Sequence, residues 1–210
     1  MASRASPFFG RSGIVFVDYA IKPDWHIMTD AEIDKAISEF EPVGNHQYGW
    51  DSLFRDAKTR KFWELIYPSD GTPRELRPIP ARDARSRYHA AFYQKSSEVH
   101  DYWLDGATLQ SVTFVADYWQ LHFDNSTISP LTRVDVQAGG QTVRDGEDQF
   151  RNRLCEQMGK AVERFDLIPS IACIITFDDQ SSISISLKSS DLQGPEALMI
   201  SGAGHWLSVA

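Results

Sequence analysis

Cysteine is scarce in this chain: Cys155 and Cys173 are the only two among 210 residues, too few for a disulfide framework. Cys155 falls in a helical pattern and Cys173 in an apolar strand run, so both are expected to be reduced and buried, acting as small hydrophobes. Long apolar runs are missing too. No stretch approaches about eighteen apolar residues, and Met1 to Gly10 holds no signal-peptide core. The chain is therefore expected to stay where it is made, in the cytoplasm, and not to cross a membrane. Basic excess is a third absence: 21 Lys+Arg face 29 Asp+Glu, a net charge of −8. Phosphate contacts need a basic face, so a nonspecific nucleic-acid binder or a protein docked on anionic lipid is disfavoured.

Ligand and catalytic spacings are also wanting. The six histidines (26, 46, 89, 100, 122 and 205) include no pair at i, i+2 or i, i+4, and there is no Cys-x-x-Cys. No Gly-x-Ser-x-Gly elbow supports serine catalysis. Gly139-Gly140 and Gly202-Ala-Gly204 precede no helix carrying Lys-Ser/Thr, so they read as turns. No metal, cofactor or catalytic set is implied.

What the chain does have is a core-forming composition, with 42% hydrophobic residues and six Trp, seven Tyr and twelve Phe. Aromatic burial of that extent offsets the chain entropy lost on folding. Ile14 to Tyr19 reads as a strand. Thr29-Asp-Ala-Glu32 has the form of a capping box, followed by Ile33, Ala36, Ile37 and Phe40 at helical spacing, with Pro42-Val-Gly44 as the stop. Trp50–Phe54 and Lys61–Tyr67 read as a hairpin in whose second strand Glu64 stands out among apolar residues. Leu76 to Ile79 is extended, and a helix is predicted over about 81–93 with Ala84, Tyr88, Ala91 and Phe92 inward. Residues 94–105 form a polar and aromatic connector.

The second half carries a weak internal duplication. Gly106-x-x-Leu109-x-x-Val112 leads to Phe123-Asp124, and Gly159-x-x-Val162-x-x-Phe165 leads to Phe177-Asp178, with the glycines 53 and the Phe-Asp pairs 54 residues apart. Each copy predicts a β-meander with an Asp-containing hairpin turn. Between them Asp145 to Met158 reads as a helix with Phe150, Leu154 and Met158 on one stripe. The predicted class is α+β: two small domains or subdomains, 1–98 and 99–210, with antiparallel sheets and one or two packed helices each.

Several residues invite a chemical reading. Strict alternation puts Asp117 on the apolar face of Val115, Trp119, Leu121 and Phe123, where a carboxylate must be satisfied or shifted in pKa. A small hydrolase using Asp117 with His122 is one hypothesis, although alternation sets the two on opposite strand faces. The run Arg74, Arg77, Arg82, Arg85 and Arg87 offers phosphate or RNA binding, against the plainer reading of a solvated face. Charge is uneven: residues 1–105 hold 14 Lys+Arg and 16 Asp+Glu (net −2), and 106–210 hold 7 and 13 (net −6). A charge-complementary partner would meet the second half.

Residues 49–88 contain Trp50, Arg55-Asp56, Trp63-Glu64-Leu65, Tyr67-Pro68, Pro73, Leu76-Arg77 and Tyr88. This pattern resembles a bacterial immunity-protein family of polymorphic toxin systems, immunity protein family twenty-seven. That family's longer Gly-Gly-Pro run is shortened here to Ser69-Asp-Gly-Thr-Pro73. The second half, with Val112-x-Phe114-x-x-Asp117-Tyr118, is similar to small bacterial domains of no assigned activity.

The resemblance implies a non-enzymatic protein that binds and neutralises a cognate toxin domain, for example a basic nuclease, by covering its working surface. Acidic side chains would then face the toxin: Asp145, Glu147, Asp148, Asp178 and Asp179 in the second half, and Asp30 and Asp34 in the first helix. Trp50, Trp63, Glu64, Tyr67 and Pro68 of the motif are expected to hold the fold. An adaptor or assembly module without toxin linkage is the remaining alternative.

Overall fold

The computed structural model describes residues 28–47, 49–69, 71–92, 103–116, 118–202 and 205–209. The strand expected at Ile14 to Tyr19 lies outside the described residues.

Helix α1 (Asp30–Glu39) starts as its sequence dictates: the Thr29 hydroxyl accepts the Glu32 amide, and the Glu32 carboxylate accepts the Thr29 amide at 2.7 Å. Its stop differs from expectation. Pro42 and Gly44 lie inside a strand, β1 (Glu41–Asn45), and Phe40 caps the helix. A strand tolerates Pro42 because β1 is a sheet edge and is bulged between Pro42 and Gly44.

Strands β2 (Ser52–Arg55), β3 (Phe62–Ile66) and β4 (Glu75–Ile79) complete an antiparallel sheet in the order β1-β2-β3-β4. Alternation divides its side chains between two helical layers. Leu65 and Leu76 pack with Ile33 of α1 on one face. On the other face, Leu53, Phe62 and Ile79 pack with Ala84 of α2 (Ala81–Arg87) and Phe92 of α3 (His89–Phe92). The single helix expected here breaks at Tyr88, which caps α2 at φ −112°, ψ 36°.

The second unit holds two five-stranded antiparallel sheets. Strands β5 (Leu109–Val115), β6 (Tyr118–Phe123) and β7 (Ser126–Pro130) form the first meander. Strands β10 (Val162–Ile168), β11 (Ala172–Phe177) and β12 (Ser182–Ser186) form the second. The hairpin of β8 (Val134–Ala138) and β9 (Gln141–Arg144) follows the first meander in sequence but joins the second, through β8 beside β12. The hairpin of β13 (Leu198–Gly202) and β14 (His205–Val209) follows the second and joins the first, through β13 beside β7. The two copies have exchanged hairpins. One core runs between the sheets, built from Leu121, Phe123, Ile128, Phe165, Ile175 and Phe177 among others.

The duplication is visible bond by bond. The Gly106 amide donates to the Val162 carbonyl and the Gly159 amide to the Leu109 carbonyl, at 2.7 and 2.8 Å. The Val162 amide donates to Ala107 and the Leu109 amide to Lys160, at 2.8 and 3.1 Å. Shifting every number by 53 residues exchanges the members of each pair, and the lone bridge Thr108–Ala161 maps onto itself. A local two-fold axis passes through that bridge.

Between the meanders, α4 (Phe150–Cys155) is shorter than the expected 145–158. Gly146 and Gln149 have φ of 89° and 72°, which keeps 145–149 out of the helix, and Met158 is exposed.

The two units meet through three arginines. Arg55 of β2 is 1% exposed, and its guanidinium lies 3.9 Å from Asp105 and 3.7 Å from Glu41. Asp105, equally buried, accepts the Phe165 amide at 2.7 Å. Arg85 of α2 donates to the carbonyls of Trp103 and Asp105, at 2.9 and 3.2 Å. Arg60, in the β2–β3 turn, donates to Asp166 and to the Phe165 carbonyl, at 2.7 and 2.9 Å. Leu104 and Asp105, assigned by sequence to a polar connector, are thus among the most buried residues of the joint.

The paired glycines give a matched test. Both have positive φ, 77° at Gly106 and 84° at Gly159, but a Cβ at Gly106 would collide with the Ala81 carbonyl while one at Gly159 meets open space. Gly159→Ala should cost the roughly 1–2 kcal/mol of left-handed strain. Gly106→Ala should cost about 2 kcal/mol more, because α2 must also move. Urea midpoints compare them, and equal losses would contradict the seating of α2 on Gly106.

Candidate interaction surface

The chemistry-bearing residues of the sequence are mostly engaged with partners within the chain. His122 places Nδ1 3.2 Å from the Thr127 hydroxyl and Nε2 3.0 Å from that of Thr113, on the polar outer face of the β5-β6-β7 sheet. Asp117, its supposed catalytic partner, lies outside the described residues. No group of His, Cys, Asp and Glu among the described residues is placed to hold a metal ion. Cys155 and Cys173 are free thiols; Cys155 is half-buried, and burial pushes the Cys173 thiol up to about 12.

The arginine run is similarly consumed. Arg74 bonds Asp30 and Asp34 of α1, each at 2.7 Å, and both carboxylates hold it firmly protonated. Arg77 and Arg87 converge on one oxygen of Glu64, at 2.9 and 2.8 Å. Arg85 belongs to the joint between the units. Among the five, only Arg82 is exposed without a contact among the described residues.

The family-like motif divides. Glu64 is completely buried: one oxygen takes Arg77 and Arg87, and the other takes the Tyr88 hydroxyl at 2.9 Å. Burial, then that carboxylate, pushes the Tyr88 hydroxyl pKa upward. Trp63 lies half-buried against Phe40, with ring centroids 5.6 Å apart, and Pro68 is half-buried. Trp50 and Tyr67 correct the expectation that they hold the fold. They are 85% and 44% exposed, and the Ser52–Leu65 pairing sets both at one end of the β2–β3 ribbon.

The seven acidic candidates do not form one face. Asp30 and Asp34 sit on α1, engaged with Arg74. Asp178 and Asp179 occupy the β11–β12 turn, beside the Ser182–Gln137 pair. Asp145, Glu147 and Asp148 follow Arg144, which pairs with Asp135 at the other end of that sheet. Asp179 is spent internally: its carboxylate meets the Lys160 ammonium at 2.6 Å and accepts the Ser181 amide at 3.0 Å. Burial draws its pKa up, but those partners outweigh it and hold the carboxyl at about 2, below the ordinary 3.8.

One end of the sandwich gathers exposed groups. The β5–β6 hairpin leaves Phe114, Val115 and Tyr118 exposed at 36%, 41% and 41%, where Phe114 and Val115 pair with Trp119 and Tyr118. Trp119 turns inward against Phe150 of α4, centroids 5.8 Å apart, so α4 ties the 145–149 loop to the hairpin. Arg151 covers Phe114 at 5.1 Å. Within the loop, Glu147 accepts the Arg144 amide at 2.9 Å, whereas the Asp145 and Asp148 side chains are exposed and have no polar partner among the described residues. Pocket-lining residues connect Tyr118, Trp119 and Asp145 to Pro195 and Glu196 of the segment before β13.

Sequence reading named Asp145, Glu147 and Asp148 but missed the aromatic residues beside them and Glu196. Alternation carried through the hairpin put Val115 on the core face, but Val115 pairs with Tyr118, so both side chains stand on the outer face, opposite that of Phe114 and Trp119. Compared with known proteins, the chain matches no family model, no curated protein and no solved structure. No helix among the described residues is long and apolar enough to cross a membrane.

Two predictions follow from these carboxylates. A group held below its unfolded pKa stabilises the fold above about pH 4 and ceases to do so as pH falls toward its folded value. Asp179→Asn should lower the urea midpoint near neutral pH and lose less of it between about pH 4 and 2 than the parent does. An unchanged acid limb would refute the assignment. Glu64→Ala strands the buried Tyr88 hydroxyl and two arginines, and should cost about 3 kcal/mol, the low end for a buried pair because both arginines reach solvent. A loss below about 1 kcal/mol, typical of exposed ion pairs, would show the cluster to be incidental.

Proposed function

We propose that this chain is an immunity-type binding protein that neutralises a cognate toxin domain in the cytoplasm by covering its working surface. The observation that carries this reading is the acidic, aromatic end of the sandwich. Tyr118 lines a pocket with Asp145 and Glu196, Phe114 and Val115 are exposed on the same hairpin as Tyr118, and Glu147 and Asp148 are exposed in the loop of Asp145. Exposed large apolar groups bordered by charge are characteristic of protein-binding surfaces. The carboxylates speed encounter with a basic surface, and burial of the aromatic rings slows release. The resemblance of residues 49–88 to the immunity family supports the same reading. His122, the base a hydrolase would need, is occupied by two threonine hydroxyls.

Growth rescue tests it. The C-terminal segment of a secreted multidomain protein encoded next to this chain should arrest a naive host, and co-expression of this chain should restore growth. The two should co-purify in a complex weakened by salt. Charge reversal at Asp145, Glu147 and Asp148 together should slow association at least about tenfold with the fold intact. A chain that neither rescues nor binds the segment would defeat the immunity reading.

A further inference from the structure

The acidic end contains a defined pocket, with a cavity volume of about 340 Å³, between the start of β6 and the 193–196 segment. Tyr118, Trp119, Pro130 and Pro195 supply aromatic and apolar walls, and Asp145 and Glu196 supply carboxylates. Three neighbouring backbone donors are already committed. The Leu131 amide donates to Ala197, the Asp145 amide to Val134 and the Ala197 amide to Val209, at 2.9, 2.8 and 2.6 Å. The Thr132 hydroxyl donates to the Asp191 carbonyl at 2.8 Å.

The nearby arginines are committed as well. Arg133 pairs with Asp135 and Asp191, Arg144 with Asp135, and Arg151 lies over Phe114. One Glu196 oxygen accepts the Ser208 hydroxyl at 2.7 Å, and the other has no partner among the described residues. The Asp145 carboxylate has none either. Among the lining side chains the only charges are the two carboxylates, set beside ring faces and neutral groups such as the Gln193 amide, which suits a cation that is flat and weakly hydrated.

We propose that this pocket receives an arginine side chain from the protein partner, its guanidinium between the Tyr118 ring and the Asp145 and Glu196 carboxylates. The arginine would anchor the acidic end, with Phe114 and Val115 covered around it in the manner of a central hot spot. This deepens the binding reading above and rests on it, yet it can be tested without any toxin.

The probe is the capped tripeptide acetyl-Gly-Arg-Gly-amide, titrated at low salt into the full chain while its nuclear magnetic resonance spectrum is followed. The Trp119 indole and the 193–196 amides should shift and saturate, with weaker response to the lysine tripeptide and none to the glutamate one. The double variant Asp145→Asn, Glu196→Gln should weaken binding about fivefold with an unchanged melting temperature, the size expected for losing two exposed pairs. Tyr118→Ala should weaken it separately, by removing the ring. Shifts that never saturate, that spread over Asp30, Asp34 and Asp178 equally, or that are absent would overturn the pocket. Growth rescue alongside an unresponsive pocket would remove this inference alone; a responsive pocket without rescue would remove the immunity reading and leave an arginine-binding adaptor.

Discussion

Asp105 is the residue on which the two halves of the molecule depend. Its carboxylate accepts a backbone amide from β10 and stands against the Arg55 guanidinium, and its carbonyl takes Arg85 from the helical layer. A charge removed from water is costly unless it is paired and hydrogen-bonded, so such a joint tolerates little displacement. Arg60 repeats the arrangement at β10, with Asp166 and the Phe165 carbonyl. The contact is polar and directional. It fixes how the three-layer unit sits on the sandwich, where a purely apolar contact would leave freedom to slide.

Within the sandwich, organisation comes from the duplicated meander. The glycine-led segments bond to each other across the Thr108–Ala161 bridge, and each copy lends its hairpin to the other's sheet. The acidic end is a product of this exchange. Tyr118 belongs to the first copy and Glu196 to the second, and the β7–β13 pairing, with Pro130 opposite Leu198, brings them together. A surface assembled from both copies can diverge at every position without disturbing the bonds of the axis.

How far the sequence spoke depends on the range over which each signal acts. The Thr29–Glu32 cap, the β2–β3 hairpin and the two meanders were legible because capping, turns and alternation act within a few residues. The β1 strand was read as a helix stop, because the same Pro42 and Gly44 serve either role and edge position decides between them. The 145–149 loop was read as helix from its apolar stripe, which carries no warning that Gln149 takes a left-handed conformation. Glu64 stood out as an anomaly among apolar neighbours, but its partners, 13 to 24 residues away, had to be seen. At the candidate surface the acidic half was visible as charge. The aromatic half was only partly so: alternation with the inward Trp119 and Leu121 turns Tyr118 outward, whereas Phe114 shares the face of Trp119 and is exposed beside the hairpin tip.

The hairpin exchange also bears on how the chain reaches its shape. The first meander leaves a ribosome well before β13 exists, yet its sheet lacks a neighbour for β7 until Leu198 to Gly202 arrive. During that interval an open, apolar-backed strand edge stands without its native mate, the condition under which strands pair with the wrong chain. The β8–β9 hairpin waits likewise for β12. With closure deferred to strands synthesised long after β7, sequence-distant pairing dominates, and assembly is correspondingly slow. The interlocking that later makes the sandwich hard to take apart is the same feature that exposes its halves while it is being made.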